Sequence, residues 1–413
     1  MPDQPLAGTG NQVAQAAADF QWDGHGFEAG TGIALSGGGF RAMLFHAGAL
    51  MRLNELGILS RAKRISSVSG GSIAAGYLAT VWNTFGAADA NGVFKADNFE
   101  AAYVEPILGF SRRKIDIIDA LIGLLPWTSA AEEVASEYEK YLLGTRTLQD
   151  IPDQPRFVFC ATNLQTGVLW RFSKPYAGDY VIGRLDKPKI QLSQAVAASS
   201  AFPPVLSPML LKFSPGSFTE WPTSPSTARQ KPDLTSFRKR VILTDGGVYD
   251  NHGIEPVVKR YATVFVSDGG APFGPVSDIG WDWIRQLKRI LGVTDNQVRA
   301  LRRRDLIDRF IEGNKISDEN KIVADQSHAR MGAYWGIDTD PTEINAPDAL
   351  PCDPKVTHQL ARIGTRLSDV GEQTSKQLVN WGYVVCDRSL RANYKGSIAD
   401  TKPKMPFSEF PLT

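Results

Sequence analysis

Cysteine, histidine and long apolar runs are scarce in this chain of 413 residues, and each shortage excludes a class of protein. The three cysteines, Cys160, Cys352 and Cys386, are too few and too scattered for a disulfide framework or a zinc site. The five histidines show no spacing typical of metal ligands. No apolar run approaches the ~20 residues that a membrane-spanning helix needs.

The chain also lacks an excess of charge of either sign. Its formal net charge is +1 at pH 7, which gives no overall attraction to nucleic acid, and we expect no nucleic-acid partner. Residues 1–19 lack the basic region and the apolar core of a signal peptide. We therefore predict a cytoplasmic protein, with peripheral contact to membranes left open.

The most informative feature present is a turn rich in glycine. Residues 33–35 form an apolar run typical of a buried parallel strand, and residues 43–56 carry apolar side chains at helical spacing. The sequence GGGFR at residues 37–41, the glycine loop, therefore predicts the turn between them. Gly37, Gly38 and Gly39 let backbone N–H groups point at a ligand beside the positive end of the helix dipole. Such a loop binds negative charge.

A serine stands at the next predicted turn from strand to helix. Residues 65–68 are predicted as a strand and residues 73–81, rich in alanine and aliphatic side chains, as a helix. Between them, SVSGG at residues 67–71, the serine turn, carries Ser69, with Gly70 and Gly71 permitting a sharp bend. The helix N-terminus favours a developing alkoxide. Together the two turns predict an oxyanion hole and a serine nucleophile.

Each turn alone has another interpretation. The glycine loop also fits the G-x-G-x-x-[GA] pattern of dinucleotide-binding proteins, so a nucleotide-binding module remains an alternative. Two absences weaken it: no Lys-Ser/Thr pair follows the glycines, and the second strand ends in Ser-Val-Ser rather than in an acidic residue that binds ribose. A lone Ser-Gly-Gly is usually only a turn. A glycine loop and a serine turn in two consecutive strand-turn-helix units, however, are much rarer than either motif alone.

An aspartate completes the hypothesis of a serine hydrolase. Residues 240–243 end in an apolar run predicted as a strand, so Asp245, followed by Gly246 and Gly247, stands at its carboxyl end, where open α/β sheets bind ligands. An aspartate before two glycines is most often a turn residue. Held about 3 Å from a serine hydroxyl in dry surroundings, it can act as a general base. A Ser-His-Asp esterase of the α/β-hydrolase type remains a second alternative.

These motifs resemble those of the patatin-like phospholipases. The family's blocks G-G-G-x-R, G-x-S-x-G and D-G-G/A are similar to residues 37–41, 67–71 and 245–247, in the same order. ASSAFPP at residues 198–204 is similar to its A-S-x-A-x-P block. The first glycine of the second block is Ser67 here, which makes that serine a minor rival nucleophile.

The resemblance implies a chemistry and a set of site residues. It implies a dyad of Ser69 and Asp245 without histidine, no metal or other cofactor, and hydrolysis of acyl esters in lipids. The implied oxyanion hole consists of Gly37, Gly38 and Gly39, and the implied supporting residues are Arg41, Gly70, Gly71, Gly246 and Gly247. We expect Arg41 to brace the glycine loop.

The predicted fold is a three-layer α/β sandwich with a mostly parallel central sheet, helices on both faces and a helical C-terminal extension. We expect a flexible arm at residues 1–30 and a catalytic domain at residues 31–275 with a helical insertion at about 85–148. A mainly helical region at residues 276–413 would pack on that domain. Residues 157–162 and 168–172 are predicted to pair as strands, and residues 203–233 to form a loop or mobile flap.

Three further segments carry predictions about the surroundings of the site. Residues 107–127 and 201–211 are candidates to line an apolar path for acyl chains. Residues 299–304, with Arg309, form a basic stripe that we interpret as a solvated face pairing with Asp305 and Asp308, the alternative being a site for phospholipid headgroups or a nucleotide effector. His252 is expected to be a bystander. The sequence leaves the oligomeric state open.

Overall fold

The structure is a computed structural model that describes residues 27–115, 130–221 and 233–413. These residues form one mixed sheet of 11 strands, in the order β11-β10-β1-β2-β3-β4-β5-β6-β8, with β9 paired to β3 and β7 to β9. The strands are β1 (Glu28–Leu35), β2 (Ala62–Val68), β3 (Arg156–Asn163), β4 (Leu169–Phe172), β5 (Tyr176–Asp179), β6 (Gly183–Asp186), β7 (Met209–Lys212), β8 (Phe218–Thr219), β9 (Arg240–Asp245), β10 (Tyr261–Asp268) and β11 (Met331–Gly336).

Helices cover both faces of this sheet. They are α1 (Gly39–Glu55), α2 (Gly70–Val81), α3 (Ala96–Phe99), α4 (Glu105–Ser111), α5 (Ala130–Tyr138), α6 (Leu192–Ser199), α7 (Thr235–Lys239), α8 (Gly247–Asp250), α9 (Glu255–Val258), α10 (Trp283–Ile316), α11 (Glu319–Ala324), α12 (Pro354–Ala361) and α13 (Glu372–Asn393). Short 3-10 turns cover residues 59–61, 82–85, 215–217 and 341–343, and π turns cover residues 100–104 and 139–143. None of the described helices is long and apolar enough to span a membrane.

The strands β11, β10, β1, β2 and β3 run parallel to one another. Alternate side chains of β1 enter different cores: Ile33 and Leu35 pack with α1, α2 and α13, whereas Ala34 packs with Leu306 and Phe310 of α10. Because neighbouring residues of a strand point to opposite faces, this alternation buries both faces of the sheet. The predicted three-layer α/β sandwich is confirmed.

The C-terminal helix α13 packs closely on α1 at two glycines. A Cβ atom at Gly48 would collide with the carbonyl group of Val379, and one at Gly382 would collide with that of Phe45. The segment before α13 also reaches the glycine loop, since the N–H of Phe40 donates to the carbonyl oxygen of Arg366 at 2.9 Å. The C-terminal region therefore contributes to the position of this loop.

The far side of the sheet is antiparallel. β3 and β4 pair as predicted for residues 157–162 and 168–172. The prediction that residues 203–233 form a loop is wrong for β7 and β8. β7 pairs with β9 from Met209 opposite Leu243 to Lys212 opposite Arg240, because its buried apolar side chains alternate with outward ones. Residues 222–232 of the predicted loop lie outside the described residues, as do residues 1–26 of the predicted arm and 116–129 of the predicted insertion. The end of the predicted arm, residues 28–30, belongs to β1.

Candidate active site

Ser69 lies at the junction of β2 and α2 in a backbone conformation that serine rarely adopts. Its φ of 52° and ψ of −119° belong to a region that costs a non-glycine residue ~1–3 kcal/mol. Such strain persists only where neighbouring groups hold it, and here the N–H of Ser69 donates to the hydroxyl oxygen of Ser199 at 3.1 Å. The helix α2, 12 residues long, begins directly after Ser69. This is the sharp turn that the sequence predicts.

Gly70 and Gly71 let the serine turn pack against the glycine loop. A Cβ atom at Gly70 would collide with the carbonyl oxygen of Gly39, and one at Gly71 would lie 2.6 Å from that of Ser36. The N–H of Gly71 donates to the same Ser36 oxygen at 3.0 Å. The two glycines thus allow the backbones of the two turns to touch.

Asp245 approaches Ser69 on a strand that runs the opposite way. Val68, the last residue of β2, pairs with Cys160 of β3, and Asp245, the last residue of β9, pairs with the next residue, Ala161. Because β9 is antiparallel to β3, the carboxyl ends of β2 and β9 meet head-on. The sequence predicts Asp245 at the carboxyl end of a strand but not this direction.

The Asp245 carboxyl group is buried, and its pKa is higher than that of an exposed aspartate. Burial raises its pKa to about 6, with Asp295 adding to the rise, while hydrogen bonding from the Gly247 N–H and the Ser69 hydroxyl lowers it. Oδ1 accepts the Gly247 N–H at 2.7 Å. Oδ2 has no hydrogen-bond partner of ordinary geometry among the described residues, so this oxygen is free to accept a proton. Catalytic pairs often tighten only when substrate binds.

The glycine loop lies beside Ser69, but its three N–H groups are not equivalent. A Cβ atom at Gly37 would lie 3.1 Å from the Cβ of Ser69, so loop and serine are in contact. The N–H of Gly37 donates to the carbonyl oxygen of Asn251 at 3.0 Å, so it is already engaged within the protein. Within the described part of the chain, Gly38 and Gly39 donate their N–H groups to no other residue. Those two groups remain as candidate donors.

Arg41 ties the glycine loop to two distant segments. Its Nε and Nη2 donate to the carbonyl oxygen of Gly269 at 3.1 and 3.0 Å, and Nη1 donates to that of Ile363. Burial and, to a smaller extent, the charge of Arg299 lower the pKa of Arg41 to about 10, while the charge of Asp268 opposes this shift. The guanidinium therefore stays charged at neutral pH.

A chain of buried hydroxyl groups lies beneath the serine turn. Ser72 Oγ donates to Ser67 Oγ at 2.9 Å and lies 2.8 Å from Ser199 Oγ, which donates to the carbonyl oxygen of Cys160 at 2.6 Å. Ser67 is fully buried, whereas 6% of Ser69 is exposed. The rival nucleophile Ser67 is thus closed off from solvent.

Two residues of this site, Ser199 and Asn251, are not predicted individually by the sequence. Ser199 accepts the N–H of Ser69 on its hydroxyl and the N–H of Gly246, at 3.1 Å, on its carbonyl oxygen. Its signal was the ASSAFPP block at residues 198–204. Asn251 acts through the direction of its backbone carbonyl, for which a single sequence has no signal.

Among the described residues, no histidine is hydrogen-bonded to Ser69 or Asp245. The histidines have other surroundings: His46 bonds to Ser267 and Ser36, His252 to Asp268, His328 to Asp305, and His358 is exposed. His25 lies outside the described residues. Burial lowers the pKa of His46 to about 4, so that ring is neutral at neutral pH.

The basic stripe lies on α10 and is largely paired. Arg309 contacts Asp305 at 2.8 Å, as predicted. The other partners differ from the prediction: Arg299 pairs with Asp268 at 3.3 Å, Arg302 with Asp250 at 3.6 Å and Arg303 with Asp338 at 3.9 Å. Asp250 ends α8, which follows β9, and Asp268 is the last residue of β10, so the basic stripe anchors α10 beside the candidate site rather than forming a wholly solvated face.

Solved structures similar to this chain include human GIVD cytosolic phospholipase A2. In complex with methyl gamma-linolenyl fluorophosphonate it has a TM-score of 0.48 and 14% identity over 91% of this chain and 60% of its own. Another structure of that enzyme has a TM-score of 0.40 and 16% identity over 64% of this chain and 46% of its own. VipD from Legionella pneumophila has a TM-score of 0.32 and 14% identity over 85% of this chain and 66% of its own.

This chain therefore spans about half to three fifths of the length of the human phospholipase structures that it resembles. No curated protein matches it in sequence. The family model described as patatin-like phospholipase matches residues 33–258, more than half of the chain, and that range contains both turns and Asp245. The chain belongs to the patatin-like phospholipase family.

Proposed function

We propose that this protein is a serine hydrolase that cleaves acyl esters of phospholipids or related lipids, with Ser69 as nucleophile and Asp245 as general base. The observation that carries the proposal is the head-on meeting of β2 and β9, which brings a carboxyl group with a pKa of about 6 to a strained serine. A base with a pKa near the working pH is efficient in proton transfer. Membership of the family supports esters of lipids as the substrate class.

In the first half of the proposed reaction, the Asp245 carboxylate takes the hydroxyl proton of Ser69. Ser69 Oγ forms a bond to the ester carbonyl carbon, and the π electrons of the carbonyl group move to its oxygen. The N–H groups of Gly38 and Gly39 stabilise this oxyanion, by about 3 kcal/mol for each well-aimed donor. The intermediate then collapses, the ester C–O bond breaks, and protonated Asp245 returns the proton to the leaving alcohol.

In the second half, water replaces the alcohol. Asp245 takes a proton from a water molecule while the water oxygen attacks the carbonyl carbon of the acyl-enzyme. The N–H groups of Gly38 and Gly39 stabilise the new oxyanion. Collapse breaks the bond to Ser69 Oγ, which recovers its proton from Asp245. The products are a carboxylic acid and the original enzyme, so no further reactant is required.

Exposed apolar side chains beside the proposed dyad support a lipid substrate. The N–H of Asp245 donates to the carbonyl oxygen of Ala201 at 3.0 Å, and the loop that follows exposes Phe202 and Val205. Val248, in the turn after Asp245, is also more than half exposed. Burying such surface against an acyl chain contributes ~0.8 kcal/mol per CH₂ group.

The two segments predicted to line an acyl path differ. Residues 201–211 supply the exposed Phe202 and Val205, which supports their proposed role. In the other segment Ile107, Leu108 and Phe110 are buried in the core, so this part does not line a path. Residues 116–127 of that segment lie outside the described residues.

Labelling with a fluorophosphonate probe, followed by peptide mapping, tests the proposal. We expect one labelled serine, Ser69, with labelling lost in Ser69→Ala and retained in the control variants Ser67→Ala and Ser72→Ala. Absence of labelling would favour a nucleotide-binding module, which has no activated serine. Incubation with a mixture of lipids and mass spectrometry of the released fatty acids then identifies the substrate.

A further inference from the structure

Exposed apolar side chains are concentrated at the start of α10. The apolar stripe, as we name it, consists of Trp281, Trp283, Ile284, Leu287, Ile290 and Leu291. Trp281 is 99% exposed and Trp283 is 72% exposed. Large contiguous apolar patches on a protein surface commonly mark sites that bind a partner or a membrane.

The stripe has the pattern of a helix that lies on a membrane surface. Within α10, Trp283 is four residues before Leu287 and seven before Ile290, and Ile284 is three residues before Leu287 and seven before Leu291, so these side chains share one side of the helix. Tryptophan, with an apolar ring and a polar N–H, is favoured where hydrocarbon meets the headgroups.

Basic side chains accompany the apolar stripe. Arg285, Lys288 and Arg289 lie between its members, and Asp282 is the one acidic residue of the stretch 281–293. The guanidinium of Arg289 stacks over the Phe273 ring at 3.9 Å from its centroid and donates to the carbonyl oxygen of a neighbouring loop residue at 3.0 Å. Residues 281–293 thus carry three basic side chains and one acidic one, a net charge of +2 that complements an anionic surface, although Arg285 also pairs with Asp282 at 3.2 Å.

The rest of α10 fixes the stripe beside the proposed dyad. Arg299 donates to the carbonyl oxygen of Ala271 at 2.9 Å in addition to pairing with Asp268, and Arg302 pairs with Asp250 in the turn after β9. One rigid helix thus joins the stripe to the loops that surround the site.

We infer that the apolar stripe docks this protein on the surface of an anionic phospholipid bilayer. The inference rests on the proposed function, since it specifies the physical form in which the lipid substrate is met. Anionic headgroups complement Lys288 and Arg289, whereas a second copy of this chain would bring two positive stretches within a Debye length of about 8–10 Å. Charge thus favours a bilayer over self-association.

Vesicle flotation of the full chain tests the inference, with Ser69→Ala as the parent so that hydrolysis cannot change the vesicles. Ile284→Asp should lower partitioning onto vesicles of phosphatidylcholine and phosphatidylglycerol by more than about tenfold, because it places a negative charge where the apolar stripe contacts the bilayer. The matched control is Ile311→Asp, the same substitution on the same helix at similar exposure, 52% against 61%. It should bind like the parent.

Two further variants separate the apolar from the electrostatic contribution. Trp281→Ala removes a side chain that is almost fully exposed and should weaken binding without disturbing the core. Lys288→Gln with Arg289→Gln should weaken binding to the anionic vesicles by about fivefold for each charge removed. On vesicles of phosphatidylcholine alone, the double variant should match the parent.

Three results would overturn the inference: no flotation of the parent, equal flotation of Ile284→Asp and the parent, or a parent dimer that Ile284→Asp converts to a monomer in sedimentation velocity. Failure of the proposed function has a different signature. It appears as absence of fluorophosphonate labelling and of turnover of a soluble ester by the unmodified chain, and flotation depends on neither.

Discussion

The hydroxyl oxygen of Ser199 accepts the backbone N–H of Ser69 at 3.1 Å, and the carbonyl oxygen of Ser199 accepts the N–H of Gly246 at 3.1 Å. One residue at the end of α6 therefore links the serine turn to the turn that carries Asp245. β2 and β9 are each paired to β3 but not to each other, so this link and β3 together fix the distance between the proposed nucleophile and base.

Ser199→Ala should lower kcat with little change in KM. The N–H of Ser69 would lose its acceptor, which costs the fold ~1–3 kcal/mol, and the loosened serine turn would no longer hold Ser69 in place for attack, so we expect kcat to fall by roughly tenfold or more. Steady-state kinetics on a soluble ester measure the effect. Ser72→Ala is the matched control, because it removes a neighbouring hydroxyl of the same buried chain that does not bond to Ser69. Equal losses in both variants would contradict the linking role of Ser199.

Asp245→Asn should lower kcat by about a thousandfold or more, since an amide cannot accept the Ser69 proton. His252→Ala, His328→Ala and His358→Ala should each stay within about tenfold of the parent, because their side chains contact other groups or solvent. The same soluble ester serves for all four. A folded but inactive histidine variant would indicate a Ser-His-Asp triad instead.

The pH dependence of kcat/KM should show an ascending limb with its midpoint at about pH 6, because Asp245 must be deprotonated to act as a base. Asp295→Asn should move this limb to lower pH, since the negative charge of Asp295 contributes to the raised pKa. A pH profile on a soluble ester measures both. A midpoint near 3.8, the ordinary value for aspartate, would contradict the assignment of Asp245 as the base.

Asp245→Asn should also make the fold more stable at neutral pH. The folded-state pKa of about 6 lies above the ordinary 3.8, so burial of the ionised carboxylate destabilises the folded protein above about pH 6. This penalty, ~3 kcal/mol for a shift of about two pH units, declines as the pH falls through 6 and vanishes below about 4. Thermal unfolding should therefore show a higher Tm for the variant near pH 8 and similar values near pH 4; a constant difference would refute this explanation.

Hydrolysis should become more efficient as the acyl chain of the substrate lengthens from acetyl to medium and long chains. Four additional CH₂ groups buried on the apolar path add ~3 kcal/mol of binding. Phe202→Asp should reduce this gain, and Val181→Asp, another exposed apolar position, is its control. The measurement is kcat/KM on a homologous series of esters. A flat series would leave a serine hydrolase but argue against lipid substrates.

The sequence by itself determined the local units of this protein. The turns around Gly39 and Ser69 depend on the steric requirements of adjacent residues, and apolar runs beside them predict β1 with α1 and β2 with α2. The pairing of β3 with β4 is equally local, since a short turn joins the two strands. Such features depend on neighbours in the chain, which a single sequence displays.

The tertiary structure alone decided how distant segments meet. β9 approaches β2 head-on, Asn251 takes the N–H of Gly37, Arg41 reaches the carbonyl oxygens of Gly269 and Ile363, and the arginines of α10 pair with Asp250 and Asp268. Each of these depends on the direction of a strand or of a backbone carbonyl. Composition and periodicity leave that direction open, because a strand has the same alternation whether it pairs parallel or antiparallel. The sequence therefore predicted Ser69 and Asp245 as the candidate dyad, whereas the packing of β2, β9 and Ser199 determined that the two residues lie side by side.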